Sequence, residues 1–218
     1  MTEQLDVAIV GAGGFGREAL QYCLDAQAVG WPHRVVGFVD DRIDALSGFD
    51  VTVPILGGFA DLERMGVRAF IIALGDPMLR RQVAESVNGV GGVLVSLIHP
   101  TAYVAPTAQI GPGGVLCPFT LIAAHSKVGA NVAVNVFASV GHDTLVGDHC
   151  VLSPYSAVTG AVTLGDESFL GTHSTIVPGT VIGRCSKVSA GSVVTRDAAA
   201  GSLLVGNPAK GRVMFRTS

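Results

Sequence analysis

The sequence predicts a Rossmann-like α/β domain followed by a parallel β-helix. In the first half, short apolar strands alternate with helical segments, and the glycine-rich stretch GAGGFGRE at 11–18 joins the first strand to the first helix. In the second half, an aliphatic residue stands at every sixth position from Ile98 to Val194. Alternating strands and helices predict a parallel sheet, and a short fixed period predicts a repeat architecture.

The first domain is predicted to span residues 1–97. Its second strand ends in the pair Asp40-Asp41, and Pro77 stands at a favourable first helical position. Segment 53–58 reads either as a short strand or as a turn. The remaining predicted elements are a strand at 7–10, a strand at 33–41, a helix at 61–67, a strand at 68–76, a helix at 77–89 and a last strand at 91–99.

The second domain is predicted to span residues 98–218. Two positions before each aliphatic residue stands a residue no larger than valine, and an aliphatic-glycine pair recurs at steps of 18, as in Ile110-Gly111 and Val128-Gly129. Three hexapeptides therefore make one triangular coil, with the aliphatic side chains inside. The coils depend on one another because a single coil cannot bury its interior. The terminal segment GNPAK at 206–210 is expected to cap the stack.

Composition excludes several classes of partner. Hydrophobic residues make up 49% of the chain and the net charge is −3, which argues against disorder and gives no reason to expect nucleic acid as a partner. No apolar run is long enough to cross a membrane, and Met1–Gln4 do not resemble the start of a secretory signal. The four cysteines form no CxxC motif, and we expect reduced thiols in a cytoplasmic protein.

A histidine and an aspartate interrupt the repeat at His142 and Asp143. His142 follows the inward Val140 by two positions, so it is predicted at a coil corner, with Gly160 beside it in the next coil. An imidazole can accept a proton, a carboxylate can orient the imidazole, and a glycine N–H can bind an oxyanion. The alternative is a surface or interface histidine without a catalytic role.

The glycine-rich turn at 11–18 is typical of a phosphate-binding strand-to-helix turn. Asp40 follows at the end of the second strand, where ribose or base contacts occur in nucleotide-binding sheets. A β-helix supplies no dehydrogenase catalytic domain, so hydride transfer is not expected. No two histidines have the five-residue spacing found in zinc-binding β-helix enzymes, and we expect no metal.

Together, GAGGFGRE, the hexapeptide repeat, VGHDTLVGD at 140–148 and GNPAK resemble the bacterial sugar acyltransferases of the sialic acid O-acetyltransferase, bacillosamine N-acetyltransferase and perosamine N-acetyltransferase group. The resemblance covers almost the whole chain. It implies a left-handed β-helix, a homotrimer, acetyl-CoA bound in a groove between two subunits, and a nucleotide-linked amino sugar bound by the first domain.

The resemblance also implies roles for individual residues. It makes His142 the base, Asp143 its partner, and Gly160 both the oxyanion donor and a residue that binds acetyl-CoA. Thr172 and Ala190 are expected beside the acetyl-CoA arm, with Pro208 and Lys210 at its tail. The residues expected to bind the nucleotide are Gly13, Gly14, Phe15, Asp40, Asp41 and Gly75.

The sugar itself is less well specified. Many members have histidine where this chain has Phe15, and the bacillosamine branch has a second histidine where this chain has Val151. GDP-perosamine is therefore the favoured acceptor, and the UDP-linked bacillosamine precursor is the next. Two further hypotheses stay open: O-acetylation of a sialic acid, and a non-catalytic module that binds nucleotide sugars.

Overall fold

The structure is a computed structural model that describes residues 4–217. Met1–Glu3 and Ser218, the outermost residues of the two predicted domains, lie outside the described residues. Within that range no helix combines the length and the hydropathy needed to cross a bilayer.

The first domain is a five-stranded parallel sheet in the order β3-β2-β1-β4-β5 with helices on both faces. Along β1, Val7 and Ile9 pack with α1 while Ala8 and Val10 pack with the core beneath α2. Both faces of the strand are thus buried, as its unbroken apolar sequence predicts. The elements are β1 Asp6–Val10, α1 Gly14–Ala28, β2 Arg34–Val39, β3 Ile55–Gly57, a 3-10 helix at Phe59–Arg64, β4 Ala69–Ile72, α2 Pro77–Gly89 and β5 Val93–Leu94.

Two predicted elements are wrong in detail. The helix expected at 61–67 is a 3-10 helix that ends at Arg64, because Gly66 adopts a left-handed backbone with φ 69°. The strand expected at 91–99 is two strands: β5 pairs with β4, whereas β6 (Leu97–Ile98) pairs with β9 (Val115–Leu116) of the coil. The coil therefore begins at Leu97, one residue before the predicted boundary.

The second domain is a triangular coil of two-residue strands stacked in parallel. The face that contacts the first domain, here called the covered face, contains β6 Leu97–Ile98, β9 Val115–Leu116, β12 Ala133–Val134, β15 Val151–Leu152, β18 Phe169–Leu170 and β21 Lys187–Val188.

The other two faces, here called the open faces, carry the remaining strands of the coil. One contains β7 Tyr103–Val104, β10 Leu121–Ile122, β13 Ser139–Val140, β16 Ala157–Val158, β19 Thr175–Ile176 and β22 Val193–Val194. The other contains β8 Gln109–Ile110, β11 Lys127–Val128, β14 Leu145–Val146, β17 Thr163–Leu164 and β20 Val181–Ile182.

Three edges separate these faces, each a column of stacked turns. The histidine edge includes turns 141–144 and 159–162 and lies between the open faces. The acidic edge includes turns 147–150 and 165–168, and the aromatic edge includes turns 153–156 and 171–174; both border the covered face. The histidine edge is consequently the one opposite the covered face.

The predicted period of 18 is confirmed by the strand register, for example Leu121 with Ser139 and Ser139 with Ala157. The predicted aliphatic column from Leu116 to Val194 forms the core of the coil. The prediction is wrong for Ile98, which is 40% exposed. Ile98 lies in the first coil, where no preceding coil covers it.

A strand hairpin closes the other end of the coil. Strands β23 (Ser202–Gly206) and β24 (Ala209–Val213) are antiparallel, and β23 continues the covered face by pairing with β21. Leu204 and Ala209 pack against the last aliphatic residues. Residues 206–210, for which the sequence predicts a cap, lie at the turn of this hairpin.

The first domain lies directly on the covered face. Val115 points away from the coil core and is fully buried in the apolar cluster that includes α1. Ala133 and Val151, further along the same face, are buried as well. Arg81 of α2 forms an ion pair with Glu167 of the acidic edge, which also pairs with Arg184. Burial opposes ionisation of Glu167, but the two arginines outweigh it and lower the pKa of the carboxyl.

Replacing Leu152 with Ala should reduce the free energy of unfolding by about 2–5 kcal/mol, because this fully buried residue contacts the coils on both sides. Leu145, which is 46% exposed on an open face, is the matched control. Leu145→Ala should change the free energy of unfolding by less than about 0.5 kcal/mol. Denaturant unfolding measures both. Equal losses would contradict the assignment of Leu152 to the shared core.

Candidate active site

His142 and Asp143 form a hydrogen-bonded pair on the histidine edge, in the turn between β13 and β14. The distance between His142 Nδ1 and Asp143 Oδ2 is 2.8 Å, and both side chains are largely exposed. An ionised carboxylate can only accept, so the proton of the neutral imidazole lies on Nδ1 and Nε2 is left with a free lone pair. That is the form of histidine that can remove a proton from a ligand.

Gly160 lies one coil above His142 and against its ring. A β-carbon built on Gly160 would be 2.5 Å from His142 Nε2 and 2.7 Å from Cε1. Any side chain at this position would therefore displace the imidazole. Glycine is required here for space and not for its backbone conformation, since Gly160 is not among the residues with positive φ.

The backbone N–H of Gly160 has no hydrogen-bond acceptor among residues 4–217, although the residue is buried. On the acidic edge the corresponding N–H groups of Ala130 and Asp148 are bound by carboxylates 18 residues further on. The residue 18 positions after Gly160 is Pro178, which has no side-chain acceptor. Because buried N–H groups are nearly always paired, this donor indicates a place for a ligand oxygen.

A second group of predicted residues meets at the carboxyl ends of β1 and β2 in the first domain. Gly11 has φ 97°, and Gly13 is the residue immediately before α1, with no side-chain cap on the helix. Open space lies beside Gly14, and Phe15 is half-buried. The N-terminus of α1 thus exposes backbone N–H groups and a positive dipole end, which favour a phosphate.

Asp40 stabilises the glycine turn through hydrogen bonds. It is 8% exposed and accepts hydrogen bonds from the Ala12 N–H and from the backbone and guanidinium of Arg42. Burial opposes its ionisation, yet these hydrogen bonds outweigh burial and hold the pKa of Asp40 below its ordinary value. Since both oxygens already accept hydrogen bonds, Asp40 orients the turn and the neighbouring arginine.

Sequence reasoning missed Arg42. Its guanidinium is ion-paired with Asp40, is largely exposed, and lies 3.9 Å from the position of a Gly13 β-carbon. It adds a positive charge above the glycine turn, where a diphosphate would need one. A basic residue two positions after an acid at the end of the second strand was the available signal.

A depression of about 430 Å³ beside this turn offers space for a nucleotide base. It is lined by Asp40, Asp41, Ile43, Ile55 and Gly57, with Gly58, Ala60 and Asp61. Asp41 accepts a hydrogen bond from the Phe59 N–H. Gly75 lies in the loop after β4, with open space at its α-carbon. The predicted nucleotide residues are thus at one end of one sheet.

Apart from Gly160, the predicted cofactor residues do not lie beside His142 in this chain. Thr172 and Ala190 are stacked in consecutive coils on the aromatic edge, whereas His142 is on the histidine edge. Pro208 and Lys210 are exposed in the terminal hairpin. Within residues 4–217 no cluster of three histidine, cysteine, aspartate or glutamate side chains has a metal-binding arrangement.

The aromatic edge carries a feature that sequence reasoning also missed. Four rings are stacked face to face with centroids 5.0, 4.9 and 4.7 Å apart, namely Phe119, Phe137, Tyr155 and His173. Each occupies the left-handed position of its turn. Their spacing of 18 was visible in the sequence and accounts for His173 as a member of this stack.

Comparison with known proteins agrees with both halves of the fold. Residues 6–87 match the PglD N-terminal domain, and residues 161–196 match the hexapeptide repeat of succinyl-transferase. GDP-perosamine N-acetyltransferase of Escherichia coli O157:H7 is 28% identical over 140 residues, a match that spans 62% of this chain and 61% of that protein.

Two solved structures are similar over nearly the full length. PerB from Caulobacter crescentus, in complex with CoA and GDP-perosamine, has 31% identity and a TM-score of 0.87, and the match covers 95% of this chain and 97% of that one. The acetyltransferase domain of PglB from Neisseria gonorrhoeae, in complex with acetyl coenzyme A, has 32% identity and a TM-score of 0.84, with 95% and 99% covered. The chain therefore belongs to the family of bacterial nucleotide-sugar N-acetyltransferases that join a PglD-type domain to a left-handed hexapeptide β-helix.

Proposed function

We propose that this protein transfers the acetyl group of acetyl-CoA to the 4-amino group of a nucleotide-linked 4-amino-dideoxy sugar. The unpaired N–H of Gly160, which lies against the His142 imidazole, is the observation that carries the proposal. It supplies an oxyanion donor beside a base, which is what acyl transfer to an amine requires. GDP-perosamine is the favoured acceptor, because E. coli and Caulobacter relatives are described with that sugar.

The reaction is a direct attack of the amine on the thioester. The amine nitrogen bonds to the carbonyl carbon while His142 Nε2 accepts the amine proton and the Gly160 N–H donates to the carbonyl oxygen. The carbon–sulfur bond then breaks, and the proton on His142 passes to the departing thiolate. Asp143 fixes the imidazole and stabilises its protonated form.

A route through an acylated cysteine has no support. Burial raises the pKa of Cys23, Cys117 and Cys150 to about 12, and all three side chains are buried. Burial raises the pKa of Cys185 as well. Thiolate is the nucleophilic form, so none of these groups is suited to carry an acyl group at neutral pH.

The proposed active site is completed by a second copy of the chain, in a homotrimer. The first domain lies on the covered face, whereas His142 lies on the opposite edge, and Thr172 and Ala190 lie on a third position, the aromatic edge. These three groups can meet only if the edge of one subunit lies against the edge of another. Exposed Tyr103 and Leu121, on the open face next to the aromatic edge, are suited to such a contact.

In this arrangement acetyl-CoA lies along the groove between subunits, near Thr172 and Ala190 of one copy and His142 of the other. Pro208 and Lys210 lie at the end of that path. The nucleotide binds the first domain at Gly13, Gly14, Phe15, Asp41 and Gly75, with Asp40 and Arg42 supporting the diphosphate. Both substrates are cytoplasmic metabolites, so we place the protein in the cytoplasm.

His142→Ala should lower kcat by about 10²–10⁴-fold, because the variant lacks the general base. The measurement is thiol release from acetyl-CoA with a panel of GDP-, UDP- and dTDP-linked amino sugars. His125→Ala, on the same edge one coil earlier, is the control and should retain activity. Near-normal turnover of His142→Ala would remove the proposed role.

Wild-type turnover of a free sialic acid would favour O-acetylation, and nucleotide binding without thiol release would favour a non-catalytic module.

Gly160→Ala should reduce kcat by at least about 10²-fold, since the new methyl group displaces the His142 ring from the oxyanion donor. Ala161→Gly is the matched neighbour: it relieves a left-handed backbone of φ 56° and leaves the ring in place. Steady-state kinetics and the crystal structure of each variant provide the test. An unmoved imidazole in active Gly160→Ala protein would contradict the assignment.

Two inactive variants should restore activity when mixed. His142→Ala removes the base, and Gly14→Trp fills the open space at the glycine turn. After dissociation and reassembly of a 1:1 mixture, about one quarter of the sites combine an intact first domain with an intact His142 from another subunit. Activity is compared with the separate variants, and native mass spectrometry verifies mixed trimers. Mixed trimers without activity would show that each site lies within one chain.

A further inference from the structure

Arg80 is a fully buried cation that is held by neutral groups alone. It lies near the start of α2 and is 0% exposed. Its Nη1 donates to the carbonyl oxygens of Ile72 and Leu74, at 2.6 and 3.1 Å. Its Nε donates to the Asn131 carbonyl oxygen at 2.9 Å and its Nη2 to Asn131 Oδ1 at 2.7 Å.

This arrangement is unusual because a buried charge is ordinarily paired with an opposite charge. Burial lowers the pKa of Arg80 to about 9, so the group is still positive at neutral pH. No carboxylate is bonded to it among the described residues. The free energy of burying this cation is offset only by the four hydrogen bonds to carbonyl and amide oxygens.

Arg80 joins the two domains, because two of its hydrogen bonds stay within the first domain and two reach the coil. Ile72 and Leu74 end β4 and begin the loop toward α2, whereas Asn131 lies on the acidic edge of the coil. Asn131 has φ 54°, and its Nδ2 donates both to the Arg80 carbonyl oxygen and to His149 Nδ1, each at 3.0 Å. Asn131 is therefore oriented from both sides, and burial lowers the pKa of the accepting His149.

The β4–α2 loop, which Arg80 holds, also packs against the glycine turn. The Ala73 N–H donates to the Val10 carbonyl oxygen, at the end of β1. The Leu74 side chain and the Ala73 carbonyl are the nearest atoms to the side of Gly11 that a side chain would occupy, at 2.8 and 2.9 Å. Gly75, with open space beside it, follows directly. A displaced loop would thus move the turn that is proposed to bind the diphosphate.

We propose that Arg80 is a positioning residue that fixes the β4–α2 loop at the nucleotide site by anchoring it to Asn131 of the coil. This rests on the proposed function of the first domain. It predicts that a side chain of the coil, Asn131, contributes to nucleotide affinity without touching the nucleotide. The physical connection is the chain Asn131–Arg80–Leu74–Gly11.

The test compares Arg80→Met, Arg80→Lys and Asn131→Gly with wild type. Glycine suits the left-handed backbone of Asn131 and removes only the amide side chain. Arg81→Met is the matched control, since Arg81 lies on the same helix but pairs with Glu85 and Glu167 at a half-exposed site. GDP affinity is measured by titration calorimetry, and KM is measured separately for the nucleotide sugar and for acetyl-CoA.

Arg80→Met should weaken GDP binding and raise the KM for the nucleotide sugar by about tenfold, within the usual range of coupling between linked sites, with the KM for acetyl-CoA changed by less than about twofold. Asn131→Gly should change the same two constants in the same direction, and Arg80→Lys should recover part of the loss. Arg81→Met should leave the GDP affinity and the KM for the nucleotide sugar within about twofold of the wild-type values. Amide hydrogen exchange should show lost protection at 73–76 in Arg80→Met and in Asn131→Gly.

Unchanged GDP affinity in folded Arg80→Met would overturn the proposal, as would equal changes in both KM values. If Arg80→Met does not fold, Arg80→Lys and Asn131→Gly decide the outcome, and unaltered GDP binding in both overturns it. Wild-type protein that binds GDP but transfers no acetyl group contradicts the proposed function and leaves the positioning role standing. Wild-type protein that binds neither GDP, UDP nor dTDP overturns the assignment of the loop to a nucleotide site.

Discussion

The stacking of each coil on the next at a register of 18 residues is the constraint on which the rest of the structure depends. Backbone hydrogen bonds such as Gly141 N–H to Val158 O, at 2.7 Å, connect each coil to its neighbour. The aliphatic column inside is buried only because another coil lies above and below it. The same register places Gly160 one coil above His142, so the proposed site and the fold follow from one spacing.

The triangular section separates the tasks of the coil. The covered face is buried by the first domain, which leaves the open faces, the histidine edge and the aromatic edge for other contacts. The acidic edge is satisfied internally: the carboxylates of Asp148 and Asp166 bind backbone N–H groups of the preceding coil, and Glu167 binds two arginines. Gly160 lacks such a partner, and this difference between two otherwise equivalent edges distinguishes the site from the scaffold.

The hydrogen-bonded polar side chains at the domain junction specify how the two domains pack, as the apolar core does. Buried Arg80, buried Asn131 and half-buried His149 form one hydrogen-bonded series. Removing one member would leave a buried polar group unpaired, which costs more free energy than the bond itself contributes. Such a series fixes one orientation of the first domain relative to the coil, whereas apolar contact alone would tolerate small shifts.

The repeat was predictable because its signal is written many times over: seventeen aliphatic positions at a spacing of six, taken with steps of 18, define the coil without knowledge of any contact. The stacking of His142 beneath Gly160 followed from the same spacing, whereas the glycine turn was predicted from the motif GAGGFGRE between a strand and a helix. Ile98 was misassigned because the first coil lacks a neighbour on one side. Segment 61–67 was misassigned because Gly66, one of its last two residues, has a left-handed backbone and the helix ends before it. A sequence pattern does not show where its first coil lacks a neighbour or where a helix ends early.

The sequence by itself therefore determined the two folds, the coil register and the pairing of imidazole with glycine, because all of these depend on local spacing. Only the tertiary structure decided which face the first domain covers, that Asp40 supports the turn together with Arg42, and that Arg80 connects the loop at Leu74 to Asn131. Those contacts join residues far apart in the chain, as with the 51 positions between Arg80 and Asn131. No periodicity relates such residues; they meet only when two independently folded surfaces are packed together.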